Sequence, residues 1–464
     1  MMREQGQTLS PTIFRAYDIR GVVGETLTED TVFLIGKALG TIVQIQGESQ
    51  LVVARDGRVS ADFLAQALCQ GIQSSGCDVI DIGQVPTPLL YYATHVFDMR
   101  SGVMLTGSHN PPEYNGLKMV VGGKTLTEEN IQAIYQRIVD EKFYQGHGSY
   151  YQAEMAERYI DHIRRQVPLA RPLKVVVDAG SGVTGKIAPA LYRALGCEVE
   201  ELYCEINGLF PHHHPDPSQV ENLQDLIRVV REKKADIGLA FDGDGDRLGV
   251  VTPQGKIIWP DRLLMLFAKA VLATRPGGKI IYDVKCTHYL APLIQSQGGE
   301  ALMWKTGHSF IKAKLAETQA VLAGEMSGHF FFKDRWYGFD DGVYAGARLL
   351  QILASHAETA DELFDAIPNS VNTPELKVAV VEEEKFSLMQ QLIDKADFAE
   401  AQDMTAIDGL RIHFAEGWGL VRPSNTTPCL VLRFEASDGA MLEKIQGLFR
   451  GWMLSVKPDL VLPF

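Results

Sequence analysis

Three aspartates, Asp242, Asp244 and Asp246, alternate with glycines directly after an apolar run at 237–241. The two glycines allow a tight turn that directs all three carboxylates toward one point. Several hard oxygen ligands with room for a phosphate oxygen suit Mg²⁺. A solvated acidic turn is the other interpretation, but clustered carboxylates repel one another unless a cation neutralises them. The pattern therefore predicts a metal site.

Two known kinds of acidic loop compete with this interpretation. An EF-hand needs a glutamate at the twelfth loop position, and counting from Asp242 that position is Pro253, so an EF-hand is excluded. In haloacid-dehalogenase-like phosphatases the first aspartate is itself the nucleophile, but the usual threonine or valine after the second aspartate and glycine is here Asp246. An aspartate-based, metal-dependent phosphatase remains an alternative from a different reaction class.

A candidate nucleophile, Ser108, lies in a Thr-Gly-Ser-His-Asn-Pro-Pro segment after the apolar run 102–105, with Lys118 ten residues further on. Serine becomes nucleophilic only with help from a base, a metal or a cationic environment. His109 is adjacent in sequence, which does not establish that its ring reaches Ser108. A simple turn built from Ser, His, Asn and Pro is an equally open interpretation of this loop taken alone.

Two further polar loops have the composition of binding sites. The Gly-Glu-Met-Ser-Gly-His segment 324–329 offers donors and acceptors that suit vicinal hydroxyl groups. Arg422 is followed by Ser424, Asn425 and Thr426, a set suited to the oxygens of a phosphate. A satisfied strand turn and a capping turn, respectively, would look much the same.

The composition describes a globular enzyme. The chain has 464 residues, 46% of them hydrophobic, and a net charge of −14, which excludes disorder, collagen and coiled coil and argues against nucleic acid as a partner. Six scattered cysteines without Cys-x-x-Cys spacing predict buried, reduced thiols. No signal peptide is recognised, and the most apolar helical stretch, 263–274, is short of the ~20 residues of a membrane span. A cytoplasmic protein with no membrane partner is expected.

Three segments repeat one layout, in which a β-branched strand ends in a polar loop and a helix-period segment follows. The strands are at 51–54, 175–178 and 280–283. Such alternation predicts α/β domains with largely parallel sheets. Later in each repeat another apolar strand precedes one of the loops 106–110, 242–246 and 324–329. Because ligands bind beyond the carboxyl ends of strands in open α/β sheets, the three loops are expected to converge on one cleft.

The composition along the chain also indicates where the domain boundaries lie. The polar, glycine-rich segment 144–149 indicates a linker, and an amphipathic helix is predicted from near Tyr150. We expect a first α/β domain at 1–150 with the serine loop 106–110 and a second at 151–256 with the aspartate loop 242–246. A third is expected at 257–368 with the loop 324–329, and a C-terminal α+β domain at 369–464. The last helix is predicted from about Asp438 to Met453.

Taken together and in this order, the four loops and the Phe-Arg-Ala-Tyr-Asp-Ile-Arg-Gly segment 14–21 resemble the α-D-phosphohexomutase superfamily. The resemblance covers nearly the whole chain and is closest to the bacterial phosphomannomutase/phosphoglucomutase group. It implies three related α/β domains with mixed, largely parallel sheets and a C-terminal domain of TATA-box-binding-protein-like fold, all around a deep cleft.

The resemblance also implies a reaction. Ser108 would carry a phosphoryl group and share Mg²⁺ with the three aspartates. The enzyme would reversibly interconvert hexose 1-phosphate and hexose 6-phosphate, for mannose and glucose, through a 1,6-bisphosphate that reorients in the site. Glucose 1,6-bisphosphate or mannose 1,6-bisphosphate would serve as activator, and hexose phosphates would be the partners. Oligomeric state is left open, with a monomer as the working expectation.

Individual roles follow from matching family positions. The catalytic residues implied are Ser108, Lys118, Arg247, His109, His329 and Arg20. The substrate-binding residues implied are Tyr17, Lys285, His308, Glu325, Ser327, His329, Arg422, Ser424, Asn425 and Thr426. Glu325 and Ser327 would hold hydroxyls 3 and 4 of the sugar. The general acid or base is left open among Lys118, with a depressed pKa, and the two imidazoles of His109 and His329.

Substrate choice rests on Met326, because Gly-Glu-Met-Ser-Gly-His resembles enzymes that accept both glucose and mannose phosphates. Phosphoglucosamine mutases more often show Glu-Gln-Ser-Gly-His, and a phosphoglucosamine mutase is the first alternative. A non-catalytic sugar-phosphate-binding relative is a third alternative, which the presence of Ser108 beside all three aspartates disfavours, since a binder needs no nucleophile beside a metal.

Overall fold

A computed structural model describes residues 9–425 and 427–464 and divides the chain into two compact units. The first unit is the described part of Met1–Pro260 together with Ser327–Phe364, and the second is Asp261–Met326 together with the described part of Asp365–Phe464. Within the described ranges, no helix is both long and apolar enough to cross a membrane.

The first stretch of chain builds a seven-stranded sheet with helices between its strands. In chain order its elements are β1 (Ile19–Val22), α1 (Glu29–Ile45), β2 (Gln50–Arg55), α2 (Ala61–Ser74), β3 (Asp78–Gln84), α3 (Thr87–Val96), β4 (Gly102–Leu105), β5 (Tyr114–Val121), β6 (Lys124–Thr125), α4 (Glu128–Val139) and β7 (Tyr150–Gln152). The strand order is β1-β5-β4-β2-β3-β7, with β6 on β5. The central strand β2 runs parallel to β3 and β4, and β5 closes on β4 antiparallel.

The second stretch repeats this arrangement on a smaller scale, also within the first unit. Its elements are α5 (Ala156–Gln166), β8 (Lys174–Asp178), α6 (Ile187–Ala194), β9 (Glu198–Leu202), α7 (Gln224–Lys233), β10 (Ile237–Phe241), β11 (Leu248–Val251) and β12 (Ile257–Ile258). The strand order is β12-β11-β10-β8-β9. All five residues of β10 are buried, as expected for a parallel strand covered on both faces.

The remaining elements, in chain order, are α8 (Pro260–Thr274), β13 (Lys279–Asp283), α9 (Leu290–Ser296), β14 (Glu300–Trp304), α10 (His308–Thr318), β15 (Leu322–Gly324), β16 (Phe330–Phe332), α11 (Gly342–Ala354), α12 (Ala360–Asp365), β17 (Val371–Asn372), β18 (Leu376–Ala379), α13 (Lys385–Asp394), β19 (Asp403–Thr405), β20 (Leu410–Phe414), β21 (Gly417–Pro423), β22 (Cys429–Ala436) and α14 (Gly439–Val456). In the second unit, β13 lies between β14 and β15, parallel to both. Strands β17 to β22 form a separate antiparallel sheet.

The three predicted repeats share one strand order, which explains where the polar loops lie. In each repeat the first strand is central, the second strand lies on one side and the third strand on the other: β3 and β4 beside β2, β9 and β10 beside β8, and β14 and β15 beside β13. The chain order therefore reverses between the first and third strands of each repeat. Loops that leave such a switch point splay apart and leave room for a ligand.

The C-terminal region is the α+β module predicted from its sequence. Its antiparallel strands pack against two helices, α13 and α14, around a core that includes Leu392, Phe434 and Phe449. The last helix begins where predicted, because the Asp438 side chain accepts a hydrogen bond from the Met441 N–H and caps the first turn. The six cysteines are all buried and free, which agrees with the prediction that they are buried and form no disulfide framework.

One local prediction is wrong. The helix expected from near Tyr150 begins at Ala156, and Tyr150–Gln152 is instead the edge strand β7, parallel to β3. The Tyr150 hydroxyl donates a hydrogen bond to Asp81 at 2.6 Å. Pairing with a strand some seventy residues earlier in the chain outweighs the local helical pattern, and a local pattern does not contain that information.

Candidate active site

The predicted nucleophile, Ser108, follows β4 in a tightly held loop of the first unit. Its backbone has φ = 48°, a left-handed conformation that non-glycine residues rarely adopt, and its side chain is buried. Its N–H donates to Thr106 Oγ1 at 2.8 Å. Its Oγ lies 3.2 Å from His109 Nδ1, so the neighbouring imidazole does reach the hydroxyl.

The aspartate loop follows β10 and meets the serine loop. Ser108 Oγ donates to Asp242 Oδ2 at 3.0 Å. All three aspartates are fully buried, and one carboxylate oxygen from each lies within 4.8 Å of the others. Gly245, with φ = 77°, allows the turn, and the N–H groups of Gly245 and Arg247 both donate to Asp242 Oδ1 at 3.1 Å. The turn that the glycines predict therefore forms.

This cluster fits a divalent cation. Among the described residues, Asp244 Oδ1 and Asp246 Oδ1 are buried without a hydrogen-bond partner, and Asp246 Oδ1 lies 3.5 Å from His329 Nδ1. Orphaned buried carboxylate oxygens carry a large desolvation penalty unless a cation coordinates them. The hard oxygen donor set matches that of ions such as Mg²⁺. The three carboxylates can therefore hold a metal ion.

Lys118 is the internal counter-charge of the cluster. Its Nζ donates to Asp244 Oδ2 at 2.7 Å and to Asp246 Oδ2 at 2.5 Å. Thr87 Oγ1 adds a hydrogen bond to Asp244 at 2.5 Å. Burial works against the charged form of Lys118, but the attraction of Asp244 and Asp246 is stronger and raises its pKa above the usual 10.5. The depressed lysine pKa expected from the sequence is therefore wrong for this arrangement of charges.

Burial of the aspartates side by side shifts the pKa values of Asp242 and Asp244 in opposite directions. Burial, together with repulsion from Asp246 and Asp244, raises the pKa of Asp242 well above 3.8. Burial also opposes ionisation of Asp244, but Lys118 and the hydrogen bonds it receives bring the pKa of Asp244 below 3.8. A bound divalent cation would favour the ionised form of all three carboxylates.

Three other predicted catalytic residues lie near this loop. Arg247 Nε donates to His329 Nε2 at 3.0 Å, and Arg247 Nε lies 3.9 Å from Asp242 Oδ2. His329 Nδ1 faces Asp340 Oδ2 at 3.2 Å. Arg20 donates to the Asn110 side chain at 2.6 Å, immediately beyond the serine loop. Burial, followed by the charges of Arg247 and Arg20, lowers the pKa of His109 well below 6.5, which keeps this imidazole neutral.

The second unit brings a different set of predicted residues together. Glu325 Oε1 accepts a hydrogen bond from the Gly307 N–H at 2.5 Å, directly before His308 at the start of α10. Lys285 Nζ donates to Glu375 at 2.5 Å and lies 3.8 Å from Asp283. A lysine, an imidazole and a carboxylate, all three buried, thus follow the carboxyl ends of β13, β14 and β15 respectively.

The predicted phosphate loop also belongs to the second unit. Arg422 Nε donates to Asp408 Oδ2 at 2.9 Å, and the same oxygen accepts from the Thr306 N–H at 3.0 Å. Asp408 therefore links Arg422 to the turn that precedes His308. Ser424 Oγ lies 2.7 Å from Thr427 Oγ1. Asn425 is half-buried, Tyr17 and Ser327 are half-buried in the first unit, and Thr426 lies outside the described residues.

Sequence reasoning missed the residues that hold these groups in place. Asp56, Arg58 and Thr87 support the serine and aspartate loops, and Asp283 and Asp408 support the loops of the second unit. A signal was present for two of them, because Asp56 directly follows the first strand of its repeat and Asp283 is the last residue of the first strand of another. The positions become informative only when the strand order shows that these strand ends lie beside the loops after β4 and β15.

A serine hydroxyl against three buried carboxylates that fit a cation, with a lysine and an arginine beside them, defines a metal-assisted phosphoryl-transfer site on an α/β scaffold. The chain belongs to the phosphoglucomutase/phosphomannomutase family. The family's models match alpha/beta/alpha domain I at residues 11–145, alpha/beta/alpha domain II at 157–255, alpha/beta/alpha domain III at 259–371 and the C-terminal domain at 375–450. This bears out the resemblance and the predicted four-domain fold class.

Relatives cover the whole chain. It is 56% identical over 456 residues to a phosphomannomutase/phosphoglucomutase of Pseudomonas putida, covering 98% of both proteins. It is 50% identical over 459 residues to a phosphoglucomutase of Neisseria gonorrhoeae, covering 98% of this chain and 99% of that protein. A crystal structure of a phosphoglucomutase/phosphomannomutase family protein from Burkholderia thailandensis matches with a TM-score of 0.94 at 53% identity, covering 98% of this chain and all of that one.

Proposed function

We propose that this protein is an isomerase that reversibly interconverts the 1-phosphates and 6-phosphates of mannose and glucose by way of a phosphoserine at Ser108. The observation that carries the proposal is the 3.0 Å hydrogen bond from Ser108 Oγ to Asp242 within a cluster of three buried carboxylates. A solvated turn has no reason to bury three carboxylates, and a binding protein has no need of a hydroxyl aimed into them.

The phosphoryl group moves in two balanced steps. In the first, a sugar hydroxyl attacks the phosphorus of phosphorylated Ser108, the P–Oγ bond breaks, and the hydroxyl proton is released as the new P–O bond forms. The product is a hexose 1,6-bisphosphate with free Ser108. After the bisphosphate turns end for end, Ser108 Oγ attacks the phosphorus of the other phosphate, and the bond from that phosphorus to the sugar oxygen breaks. The serine proton passes to the sugar oxygen, Ser108 is phosphorylated again, and the isomer leaves. His109 Nδ1, 3.2 Å from Oγ, is positioned to hydrogen-bond to the serine oxygen and to orient it during this exchange.

The residues around Ser108 would manage the charge of this transfer. Asp242, Asp244 and Asp246 would hold Mg²⁺, which when bound neutralises negative charge on the transferring phosphoryl group. Arg247 would supply a fixed positive charge and donors on the same side, since its Nε lies 3.9 Å from Asp242. Lys118 would supply a further positive charge, held against Asp244 and Asp246 by its hydrogen bonds.

Binding of the rest of the substrate would fall to the polar residues of the sugar and phosphate loops. Glu325 and Ser327 would bind hydroxyls 3 and 4, and Arg422, Ser424, Asn425 and Thr426 would hold the phosphate that is not reacting. The others that we propose to contact substrate are Tyr17, Arg20, Lys285, His308 and His329. A site of this kind must accept the sugar in both orientations, so hexose 1,6-bisphosphate would act both as intermediate and as the activator that phosphorylates Ser108.

Sugar specificity would be relaxed at carbon 2, where Met326 offers no donor or acceptor to the hydroxyl. The relative from P. putida carries both mutase names, which supports the assignment of both sugars. We further propose cytoplasmic action and four domains with boundaries near 150, 256 and 368.

The test is turnover of mannose 1-phosphate, glucose 1-phosphate and glucosamine 1-phosphate, with Mg²⁺ and catalytic glucose 1,6-bisphosphate. We expect comparable conversion of the first two, loss on chelation of the metal and a loss of at least about 10³-fold in Ser108→Ala. Ser101→Ala is the matched control and should keep full activity, because Ser101 is a buried serine directly before β4 that donates to Glu48. Exclusive use of glucosamine 1-phosphate, or phosphate release that survives Ser108→Ala, would contradict the proposal.

A further inference from the structure

A buried arginine outside the predicted site holds the backbone of the serine loop. Arg58 is 3% exposed and donates to four carbonyl oxygens around Ser108. Its Nη2 reaches the Ser108 carbonyl at 2.8 Å and the Asn110 carbonyl at 2.6 Å, and its Nη1 reaches the carbonyls of Pro111 at 2.5 Å and Tyr114 at 2.9 Å. We infer that Arg58, fixed by Asp56, is a positioning residue that sets where Ser108 Oγ lies. This inference rests on the proposed function of Ser108.

The loop needs such a support because its conformation is unfavourable. Ser108 is held at φ = 48°, where a side chain crowds its own backbone, and such conformations persist only when surrounding contacts determine them. The left-handed residue directs Oγ toward Asp242 rather than along the loop. The carbonyl of Ser108 itself is one of those that Arg58 binds, so the guanidinium acts directly on the strained peptide.

Asp56 completes the support from the other side of the loop. Its Oδ2 accepts from Thr106 Oγ1 at 2.8 Å and from the Gly107 N–H at 3.1 Å, while its Oδ1 accepts from the Arg58 N–H at 3.0 Å. Thr106 Oγ1 in turn accepts from the Ser108 N–H. Asp56 and Arg58 therefore fix the peptide groups on both sides of Ser108 through a continuous set of hydrogen bonds.

Gly107 shows how closely the arginine is fitted. A methyl group at this position would lie 2.9 Å from Arg58 Nη1 and closer still to Nε and Cζ. The guanidinium thus fills the space beneath the loop, and a glycine is required above it. Contacts this close between Arg58 and the serine loop fix the position of the loop as well as stabilising it.

The second unit uses an equivalent support on the sugar loop, which argues that the device serves function. Asp283 ends β13 as Asp56 follows β2, each at the carboxyl end of the central strand of its repeat. Asp283 Oδ1 accepts from the Met326 N–H at 3.3 Å, and its Oδ2 accepts from Thr306 Oγ1 at 3.0 Å. In both repeats an aspartate at the switch point holds the backbone of the loop that follows the third strand.

The experiment compares Arg58→Met with Arg348→Met. Arg348 is a matched control because it is 4% exposed and lies in the same unit. Its guanidinium donates to Asp334 at 2.9 Å and to the Tyr344 hydroxyl, rather than to the serine loop or the aspartate loop. The readouts are kcat and KM for glucose 1-phosphate, and hydrogen–deuterium exchange of the peptide containing 106–111. Arg58→Lys and Thr106→Val provide milder perturbations of the same support.

For Arg58→Met we expect kcat to fall about 100-fold with KM within threefold of wild type, since a displacement of about 1 Å in a reacting atom costs about that factor. Exchange in the 106–111 peptide should rise at least about tenfold, while Arg348→Met keeps both values. Arg58→Lys should recover part of kcat but not all, because an ammonium lacks the planar fork. If Arg58→Met does not fold, Arg58→Lys and Thr106→Val must each lower kcat at least fivefold.

Equal losses in Arg58→Met and Arg348→Met, or a kcat within threefold of wild type in Arg58→Met, would overturn the inference. Failure of the proposed function gives a different result, because the wild type would then isomerise neither glucose 1-phosphate nor mannose 1-phosphate. The exchange measurement tests positioning of the loop in that case too, since it requires no substrate.

Discussion

The separation between the serine loop and the aspartate loop is set by Gly243, and Gly243→Ala tests what that separation is worth. A methyl group there would lie 3.3 Å from the Ser108 carbonyl carbon and 3.4 Å from Pro215 Cγ, and within 3.0 Å of the Ser108 carbonyl oxygen. Its φ lies outside the left-handed region, so alanine fits the backbone and only the collision is tested. Van der Waals contact requires the two loops to move apart by about 1 Å.

That displacement separates Ser108 Oγ from Asp242, which it now contacts at 3.0 Å. A change of about 1 Å in a reacting geometry costs about 100-fold in rate. We therefore expect kcat for glucose 1-phosphate to fall about 100-fold in Gly243→Ala, measured by coupled oxidation of glucose 6-phosphate, with the protein still folded. A kcat within threefold of wild type would refute the claim that contact between the two loops sets the rate.

Gly447→Ala is the matched control. Gly447 lies within α14, and no atom lies within 4 Å of where its Cβ would be. A helical glycine replaced by alanine in open space gains about 0.5–1 kcal/mol of stability. We expect unchanged kcat and a slightly raised melting temperature.

Two further predictions concern charge. Glu435 is fully buried, and although burial opposes its ionisation, hydrogen bonds from His288 and Thr287 lower its pKa from 4.5 to about 2. A lowered carboxylate pKa stabilises the fold fully above pH 4.5, here by about 3 kcal/mol, and that contribution is lost as pH falls from 4.5 toward 2. The ratio of amide exchange rates in β22 between Glu435→Gln and wild type should therefore be about tenfold smaller at pH 3.5 than at pH 6.5. A ratio that is the same at both pH values would contradict the assignment. Mg²⁺ at a hundred times its Kd should stabilise the first unit by about 2.7 kcal/mol, seen as a rise of several degrees in melting temperature. Asp246→Asn should abolish that rise, whereas Asp394→Asn, at an exposed position, should retain it. An unchanged rise in Asp246→Asn would show that the cation binds at another place.

Much of the site could be predicted because its parts are local. A glycine-rich acidic turn forms wherever its residues lie, and the strands before it are recognisable as β-branched runs. The strand pairs β2 with β4 and β8 with β10 then place each loop at the switch point of its own sheet. That Ser108 and Asp242 touch is seen only in the folded structure. The class of chemistry was available from the residue types at these strand ends.

What could not be predicted depends on contacts between distant segments. The four bonds of Arg58 join residues about fifty positions apart, and nothing in its own neighbourhood marks it. The edge strand at Tyr150 forms because β3 offers a free edge, against a local pattern that favours a helix. The raised pKa of Lys118 results from two aspartates more than a hundred residues later. Charge pairs and hydrogen bonds of this kind can be identified only from the folded structure.

The central claim is that Ser108 carries the phosphoryl group between the two positions of the sugar. The direct measurement is to load the protein with glucose 1,6-bisphosphate labelled with ³²P, map the label by peptide mass spectrometry, and chase with unlabelled mannose 1-phosphate in a single turnover. We predict a label on Ser108 that resists hydroxylamine, as a phosphate ester does, and that passes into mannose phosphates during the chase. A hydroxylamine-sensitive label on Asp242, as an acyl phosphate, or a label on Ser108 that does not leave in the chase, would contradict the account.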